Sequence, residues 1–490
     1  MRDDAIRGRL IEVNPWWRAA AGAEDSRAWA ATDPTLGDRM AFDLGYRASV
    51  LDDIAHGPID DKLVVLRGPR RVGKSVALKD TLLHLCGRPD IDPRQLVYLP
   101  ADGMQANDLH RVAVLGRELT RSVDRDGTRP RAWFLDEVTA VDGWTEELKY
   151  LRDNTELKRD TVVCTGSSWS DTSQAERHLL AGRAGTGSVR RTRLLLPMKF
   201  RDVLAATRPR LPRPEPVPSW ALQSDAAQEG TEAVELFVDE LDLAWQTYLE
   251  SGGFPRAVAE HARHGQVSEA FCADLAAWLQ RDVDPDAPAD SVPMLLAGLH
   301  ERSASPLNRT NAATALGYPT RQTFDARLNR LVRSFAALWC HQIDDGGRRV
   351  AGSQSKLYLA DPLLARLAAR LRAGAPTPDT TVLTEAALAV ALAQAVEAQQ
   401  PGRWVADDAI GYVRTGSGNE IDFGPVPVPT PGGTERTTPL ESKWVPRGWR
   451  ADARTVEGRY GRGVVATRNL VNFDHPAWAI PAPVVALLLG

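Results

Sequence analysis

The sequence has few of the features that mark secreted, zinc-binding and membrane proteins. It contains 4 cysteines in 490 residues, and no two of them form a C-x-x-C pair, which argues against a zinc knuckle and against a disulfide framework. No run of 18 apolar residues occurs, and the first residues lack the pattern of a signal peptide. We therefore expect a cytoplasmic protein with no membrane segment.

The sequence also lacks an excess of charge of either sign. It has 60 Lys and Arg against 64 Asp and Glu, for a net charge of -4, so composition alone indicates neither a nucleic-acid-binding protein nor a membrane-surface protein. Any basic surface must be local. A chain of 490 residues is long enough for about two to four domains, each with a core of its own.

Short apolar runs recur between Lys62 and about Arg208. Each is bounded by polar or turn residues, which is typical of strands that are buried on both faces. The pattern therefore predicts a parallel sheet covered by helices. The runs are KLVVLRG, QLVYLPAD, RAWFLDE, TVVCTGSS and TRLLLPM.

Beyond this region the sequence changes character. Residues 206–220 are rich in Pro and Arg and predict a linker, because proline lacks the N–H that a helix or a central strand needs. A helical zone follows at about 229–280, broken by a turn in SGGFP at 251–255. Residues 291–341 have the spacing of a helix-turn-helix around the turn GYPT. From 355 onward the sequence returns to mixed helices and strands.

A glycine-rich loop follows the first apolar run. Gly68 to Ser75 read GPRRVGKS and fit the pattern G-x-x-x-x-G-K-[ST], which chance produces about 0.02 times in a chain of this length. A strand enters the loop and a helix leaves it, so backbone N–H groups and a helix N-terminus favour an anion there. Lys74 should reach the β and γ phosphates of ATP, and the Ser75 hydroxyl should bind Mg²⁺. The predicted nucleotide-binding residues are Gly68, Pro69, Arg70, Arg71, Val72, Gly73, Lys74, Ser75 and Val76.

Two acids end the third apolar run. Asp136 follows four apolar residues and is followed by Glu137. An acid at the end of a buried strand beside a phosphate loop can hold a magnesium ion, and the next glutamate can orient or deprotonate the attacking water. We therefore predict Asp136 as a metal-side residue and Glu137 as the water-activating residue.

Polar residues that follow could complete this site. Thr165, Ser167 and Ser168 end the fourth apolar run, where they could sense the γ phosphate or the attacking water, although an ordinary turn has the same residues. Arg183 could bring positive charge to the phosphates, from the same subunit or across a ring interface, but it could equally be a solvated surface residue. The sequence leaves the oligomeric state open, a homo-oligomer included.

Taken in order, the motifs resemble those of a known family. The chain resembles prokaryotic AAA-type ATPases with a C-terminal helix-turn-helix and a PD-(D/E)XK nuclease-like domain, from about Val64 to the C-terminus. The resemblance implies ATP binding and hydrolysis and a role linked to DNA. Proline-rich insertions at about 206–220 and 425–438 depart from the usual spacing. The motifs are GPRRVGKS, WFLDEV, TGSS, AGR with LLLPMKFRDVL, YLESGGFP, KLYLAD, NEIDF and ESK.

The resemblance assigns roles to C-terminal carboxylates. It implies that Asp422 and Glu441 bind Mg²⁺, that Lys443 stabilises the attacking hydroxide or the phosphate, and that Glu385 is a further metal-side acid. The period of two along a strand puts Glu441 and Lys443 on one face. E-x-K alone occurs about twice by chance in such a chain. A surface salt bridge between Glu441 and Lys443 is therefore the alternative, as is a nuclease-like domain that only binds partners.

Two further groups have open interpretations. Five arginines in or before the predicted second helix of the helix-turn-helix could contact DNA phosphates, or could form a solvated face. Trp16 and Trp17 in NPWWR could stack on the adenine, or could pack against the sheet. The arginines are Arg309, Arg321, Arg327, Arg330 and Arg333.

The predicted fold class is α/β: a P-loop NTPase core with a parallel sheet, a helical lid, a winged-helix-like unit and a C-terminal restriction-endonuclease-like α/β domain. The predicted domains are an N-terminal extension (1–50), an AAA-type ATPase core (51–208), a linker and helical lid (209–290), a helix-turn-helix (291–345) and a nuclease-like domain (346–490).

Three functional hypotheses are consistent with these residues. The first is a Mg²⁺-dependent ATPase that couples ATP binding and hydrolysis to a DNA-binding or nuclease-like module, in genome maintenance or defence. The second is an ATP-dependent regulatory switch whose C-terminal domain is an inactive protein- or DNA-interaction module. A small-molecule kinase is the weaker third, because the chain offers a helix-turn-helix instead of an acceptor lid.

Overall fold

The computed structural model describes residues 1–19, 25–123, 129–167, 192–288, 291–415, 418–445 and 447–490. The chain divides into two compact units: an N-terminal unit, Met1–Leu196, and a C-terminal unit, Pro197–Gly490.

In the N-terminal unit, helices and strands alternate. The described α-helices are α1 (Asp3–Val13), α2 (Trp16–Ala19), α3 (Pro34–Ala41), α4 (Asp52–His56), α5 (Lys74–Cys86), α6 (Ala106–Leu119) and α7 (Trp144–Asn154). The described strands are β1 (Lys62–Arg67), β2 (Leu96–Pro100), β3 (Ala132–Asp136), β4 (Thr161–Gly166) and β5 (Thr192–Leu194). Short 3-10 turns lie at Ala28–Ala31, Ser49–Leu51, Pro93–Gln95, Arg121–Val123, Val138–Ala140 and Glu156–Arg159.

The strands of the N-terminal unit form one parallel sheet in the order β2-β3-β4-β1-β5. All of the residues of β1, β3 and β4 are buried, as expected for apolar strands that are covered on both faces. The predicted parallel sheet is therefore confirmed. Because β4 lies between β1 and β3, the carboxyl ends of these three strands lie at one edge of the sheet.

The tryptophans near the N-terminus belong to the fold of this unit. The indole N–H groups of Trp16 and Trp17 donate to the Leu96 carbonyl at 3.0 and 2.8 Å, and Trp16 also packs on Trp29. The side-chain oxygen of the buried Asn14 accepts a hydrogen bond from the Tyr98 N–H at 2.6 Å. Of the two interpretations of NPWWR, packing against β2 is the one observed.

The C-terminal unit begins with helices and ends with mixed elements. Its described helices are α8 (Phe200–Thr207), α9 (Asp225–Glu232), α10 (Val238–Ser251), α11 (Pro255–His264), α12 (Glu269–Val283), α13 (Ser291–His300), α14 (Arg309–Ala315), α15 (Arg321–Arg333), α16 (Pro362–Leu371), α17 (Thr380–Gln399), α18 (Arg450–Tyr460) and α19 (Ala482–Leu488), with a 3-10 turn at Glu235–Phe237. Its described strands are β6 (Ala337–Gln342), β7 (Ser355–Leu359), β8 (Gly411–Arg414), β9 (Glu420–Ile421), β10 (Pro427–Thr430), β11 (Gly433–Arg436), β12 (Leu440–Ser442), β13 (Gly463–Thr467) and β14 (Ala477–Pro481).

The helices α14 and α15 lie in the segment for which the sequence predicted a helix-turn-helix. Asn308 caps α14 by accepting from the Asn311 N–H, and Thr320 caps α15 by accepting from the Thr323 N–H. The apolar residues Phe324, Leu328, Leu331 and Val332 of α15 are buried together on one face. An antiparallel pair, β6 and β7, follows directly.

The strands β6 to β9, which follow α15, form one mixed sheet. The strand order is β7-β6-β8-β9, with β6 parallel to β8 and β8 antiparallel to β9. A bridge between Phe423 and Leu440 leads from the end of β9 to β12, which begins the parallel set β12-β13-β14. Strand β6, which follows α15, therefore shares one sheet with β8 and β9 of the later part of the chain.

The proline-rich insertion at 425–438 contains regular secondary structure. It forms an antiparallel hairpin in which Val428 pairs with Glu435 and Thr430 with Gly433. A two-strand hairpin tolerates Pro427 and Pro429 because an edge position leaves the missing N–H groups unneeded.

Helix α17 is the most apolar long helix among the described residues. By length and composition it could cross a membrane, but 72% of its apolar window is buried inside the unit. The whole of Leu383–Val390 is buried. Helix α17 is therefore a core helix of the unit, and it packs against α10, α16 and α19.

Candidate functional site

The loop between β1 and α5 has the backbone of a phosphate cradle. Gly68 has φ of 148° and Gly73 has φ of 95°, values that glycine adopts far more readily than other residues. A Cβ at Gly68 would lie 1.9 Å from the Leu195 carbonyl oxygen, so no side chain fits there. Helix α5 begins at Lys74, directly after Gly73, and its N-terminal N–H groups face the loop, where they favour an anion.

Lys74 is buried, and its ammonium group points back into the loop. Nζ donates to the carbonyl oxygens of Gly68 and Pro69 at 3.0 and 2.9 Å and lies 4.0 Å from a carboxylate oxygen of Glu137. The predicted loop lysine and the predicted water-activating acid are therefore neighbours, although 63 residues separate them along the chain.

The two predicted acids end β3 in different backbone conformations. Asp136 is the last residue of the strand and is buried. Glu137 has φ of 53°, a left-handed conformation that is uncommon for a residue with a side chain and that is enriched at functional sites. This turn separates the two carboxylates, so that the Glu137 side chain is 21% exposed while Asp136 stays buried.

Thr165 at the end of β4 links these two acids. Its hydroxyl donates to Asp136 Oδ1 at 2.6 Å and accepts from the Glu137 N–H at 2.8 Å. The Ser167 hydroxyl donates to Glu137 Oε2 at 3.3 Å. The polar end of β4 therefore lies beside the acids, as the sequence suggested for Thr165 and Ser167.

Sequence reasoning missed one residue of this site. Tyr98, near the end of β2, donates its hydroxyl to Asp136 Oδ2 at 3.0 Å. Burial and the neighbouring Asp136 raise the pKa of Tyr98, so this hydroxyl stays protonated and remains a donor. A tyrosine in the middle of an otherwise apolar strand was the available signal.

Of the other predicted residues, Ser75 and Val76 lie in the first turn of α5 and Pro69, Arg70, Arg71 and Val72 form the loop. Ser168 and Arg183 lie outside the described residues. The site thus joins Lys74, Asp136 and Glu137 at one edge of the sheet. Oxygen donors on Ser75 and Asp136 fit the preference of Mg²⁺ for a hydroxyl and one or two carboxylates next to phosphates.

Comparison with known families agrees with this geometry. Residues 60–204 match a family model described as an AAA domain. This part of the chain is an AAA domain of the P-loop class. The predicted AAA-type core is therefore confirmed, and with it a nucleotide-binding domain. Residues 242–375 match a model described as a domain of unknown function, DUF8612.

Among solved structures, the chain is similar to a Walker-type ATPase of Pyrococcus abyssi, at 15% identity over 63% of this chain and 91% of that one, with a TM-score of 0.36. It is similar to the ORC2 protein of Aeropyrum pernix, at 11% identity over 69% and 93%, with a TM-score of 0.31. It is also similar to the ORC1 protein of Aeropyrum pernix in complex with DNA, at 15% identity over 71% and 91%, with a TM-score of 0.27. No curated protein matches the chain.

Outside the AAA domain, the C-terminal unit brings the predicted carboxylates together. The Asp422 N–H donates to Glu441 Oε2 at 3.1 Å, and Asp422 Oδ2 accepts from the Ser442 N–H at 2.9 Å. Glu385 comes from α17, and it meets Asp422 through one shared partner, the ammonium group of Lys356 on β7. Glu420 contacts the same ammonium group. We call Lys356, Glu385, Glu420, Asp422 and Glu441 the carboxylate cluster.

The predicted partner of Glu441 lies apart from this cluster. The Lys443 ammonium group is 3.2 Å from Asp452 on α18, and its side chain is 40% exposed. Burial lowers the pKa of Lys443, but the hydrogen bond and attraction to Asp452, together with attraction to Glu441 and Asp422, outweigh burial and raise the pKa overall. The lysine that contacts the acids directly is Lys356, which the sequence analysis did not single out.

Two acids of the cluster have strongly shifted pKa values. Burial and the neighbouring Asp422 raise the pKa of Glu385 to about 7, against the opposing effect of Lys356. Burial and Asp422 also raise the pKa of Glu441 to about 9. At neutral pH Glu441 therefore holds a proton, and Glu385 holds one part of the time.

Most of the predicted DNA-contacting arginines have partners within the C-terminal unit. Arg327 pairs with the buried Asp284 at 2.6 Å, and Arg309 and Arg321 both lie 3.4 Å from Asp325. Arg330 donates to the Val283 carbonyl at 3.3 Å. Arg333 is exposed at the end of α15.

Proposed function

We propose that the AAA domain binds ATP with Mg²⁺ and hydrolyses it. The observation that carries this proposal is the convergence of Lys74, Asp136 and Glu137, with Lys74 Nζ 4.0 Å from Glu137 and with Thr165 hydrogen-bonded to both acids. A domain that only bound the nucleotide would not need an acid next to the loop lysine.

Each group of residues in the AAA site has its own role in binding the nucleotide and the metal. The N–H groups of the loop and the first turn of α5 hold the phosphates, and the positive charge of Lys74 neutralises them. Ser75 and Asp136 would hold Mg²⁺, which neutralises the charge that develops on the phosphate oxygens. Tyr98 and Thr165 fix both oxygens of the Asp136 carboxylate, which orients it toward the metal side.

Glu137 is the residue that favours turnover. Its carboxylate is the more exposed of the two acids and its hydrogen bond from Ser167 holds it at the mouth of the site. From there it orients a water molecule or accepts its proton. We propose Ser168 and Arg183 as additional phosphate-side residues on the strength of the sequence alone.

Phosphate release tests this proposal. Replacing Glu137 with Gln keeps the shape of the side chain and removes the base, so we expect hydrolysis to fall about 100-fold or more while the affinity for ATP is kept. Glu156→Gln, at an exposed position in the same unit, is the matched control. Equal hydrolysis by the wild type and Glu137→Gln would contradict the assignment.

We further propose that the nucleotide state acts on the C-terminal unit as a DNA-binding or nuclease-like module, in genome maintenance or defence in the cytoplasm. The helix-turn-helix and the meeting of Glu385, Asp422 and Glu441 support it. DNA should then stimulate phosphate release, and Glu441→Ala should abolish any Mg²⁺-dependent cleavage. Binding to duplex DNA should weaken as salt rises, because phosphate contacts release counterions.

A second candidate is an ATP-dependent switch whose C-terminal unit recognises a partner and has no cleavage activity. Lys356 favours it, because an ammonium group already stands among the acids that cleavage would need. The ion pairs of Arg309, Arg321 and Arg327 with acids of the same unit also favour the switch. Phosphate release that is slow and that no DNA stimulates, with ATP binding retained, would support the switch over the coupled enzyme.

A further inference from the structure

Lys356 is a fully buried cation inside the C-terminal unit. Its side chain has 0% exposure, and its Nζ lies 3.0 Å from Glu385, 2.7 Å from Glu420 and 2.9 Å from Asp422. An ammonium group has three N–H donors, and three carboxylates surround this one. Its donors are therefore matched one to one.

Further donors contact carboxylate oxygens of the cluster. Glu385 Oε1 accepts a second hydrogen bond, from the Tyr358 hydroxyl at 2.6 Å. Asp422 Oδ2 and Glu441 Oε2 accept from backbone N–H groups of Ser442 and Asp422. Side-chain and backbone donors thus hold carboxylates of the cluster in place, and the cluster is built from β7, α17, β9 with the residue after it, and β12.

A divalent cation does not fit this arrangement. Mg²⁺ binds oxygen at about 2.0–2.1 Å and needs near-octahedral coordination, whereas the centre of these carboxylates already holds an ammonium group at hydrogen-bond distance. Within the described residues, no group of three or more His, Cys, Asp or Glu side chains is arranged to hold a metal ion. The metal role that the sequence predicted for Glu385, Asp422 and Glu441 thus conflicts with the position of Lys356.

We propose that the ammonium group of Lys356 takes the place of a divalent cation in the carboxylate cluster, so that the folded C-terminal unit binds no metal there, and that removing the ammonium group opens a divalent-cation site. The inference deepens the second candidate function, the switch with an inactive C-terminal unit, and is independent of whether the AAA domain hydrolyses ATP.

The electrostatics of the cluster agree with this role. Burial lowers the pKa of Lys356, but attraction to Asp422, Glu385 and Glu420 outweighs burial and raises it overall, so the ammonium group stays charged. The Lys356 ammonium group also lies 5.8 Å from the centre of the Tyr412 ring, which attracts cations. A buried positive charge with this many carboxylate partners is costly to remove.

Manganese binding to the full-length protein tests the proposal. The titration is done by calorimetry without nucleotide, so that the AAA domain does not contribute a metal site. We expect the wild type to bind no Mn²⁺, Lys356→Met to bind a single Mn²⁺, and Lys356→Met with Asp422→Asn to lose it again. Lys443→Met is the matched control, because it removes a neighbouring lysine that pairs with Asp452 instead, and it should behave as the wild type.

Two outcomes would overturn the proposal. One is Mn²⁺ binding by the wild type that Asp422→Asn abolishes, and the other is a folded Lys356→Met protein that binds no Mn²⁺. If circular dichroism shows Lys356→Met to be unfolded, Mn²⁺ binding is compared between the wild type and Asp422→Asn alone. Binding by the wild type that Asp422→Asn abolishes then overturns the proposal, and the absence of such binding supports it. Phosphate release is measured in parallel, so a missing ATPase activity is recognised separately.

Discussion

Two buried lysines, one in each unit, face carboxylates under different conditions. Lys74 donates to two neutral backbone carbonyls and lies 4.0 Å from one partly exposed acid. Lys356 has three carboxylate partners within 3.0 Å and no exposure. An incoming phosphate can replace carbonyls as the partner of Lys74, because charge favours the exchange. A phosphate has no such advantage at Lys356, because the three partners of Lys356 are already carboxylates.

The difference shows that the presence of lysine and acids does not by itself define a catalytic site. What matters is whether the lysine's partners in the empty protein are weaker than its ligand. By this criterion Lys74 of the AAA domain can exchange its backbone partners for a phosphate, whereas Lys356 of the carboxylate cluster stabilises the fold.

The largest effect that would test this comparison is expected at Lys74. Lys74→Ala removes the charge that meets the phosphates, and we expect ATP hydrolysis to fall about 1,000-fold with little change in thermal stability. Phosphate release and a melting curve measure the two quantities. Lys158→Ala, at an exposed position of the same unit, is the control. If Lys74→Ala strongly lowers the melting temperature while the protein that remains folded still hydrolyses ATP, Lys74 is a structural residue like Lys356.

At Lys356 we expect the opposite pattern. Lys356→Met keeps the aliphatic chain but leaves buried carboxylates without their cation, which typically costs about 3–5 kcal/mol of unfolding free energy. Urea unfolding followed by circular dichroism should show this loss in the C-terminal unit. Lys443→Met should cost much less because its side chain is 40% exposed. A fully stable Lys356→Met protein would remove the contrast between the two lysines.

A smaller, pH-dependent effect is expected at Glu441. Its pKa is about 9 in the folded protein against an ordinary value of 4.5, so its contribution to stability is complete below pH 4.5 and is lost as the pH rises toward 9. Stability falls with rising pH in this window because the folded protein binds more protons than the unfolded protein does. Glu441→Gln should therefore match the wild type near pH 4.5 and exceed it in urea unfolding at pH 8. A difference that does not depend on pH would contradict the raised pKa.

The smallest effect is expected at Tyr98. Tyr98→Phe removes one hydrogen bond to Asp136, worth about 1 kcal/mol, so the Mg²⁺ concentration for half-maximal ATP hydrolysis should rise about five-fold. A change in this concentration with the affinity for ATP alone unchanged is the mark of a positioning residue. Tyr150→Phe, at an exposed tyrosine of the same unit, is the control, and an unchanged Mg²⁺ requirement in Tyr98→Phe would contradict the role.

The nucleotide site could be predicted because its parts are local or follow from simple topology. The loop from Gly68 to Ser75 is contiguous, and parallel strands bring their carboxyl ends, here Asp136 and Thr165, to one edge. The helices α14 and α15 could be predicted for the same reason, since their capping residues and the apolar face of α15 lie within one short segment.

The role of Lys356 could not be predicted in this way. It depends on the pairing of β6 with both β7 and β8 and of β8 with β9, which brings residues 356 and 420 into one sheet, and on helix α17, which carries Glu385. Lys356 also lies in the run KLYLAD, which reads as an ordinary apolar strand. The period of two along β7 puts Lys356 and Tyr358 on one face, and only the structure shows that this face meets Glu385.

The double pairing of β6 has a consequence for dissecting the protein. A fragment cut at the predicted boundary after residue 345 would separate β6 from β7 and β8, and both strands would lose hydrogen-bonded neighbours. The strand that carries Lys356 would then be left as an unprotected edge, which invites aggregation. Truncation experiments should therefore keep residues from α14 to the C-terminus in one piece.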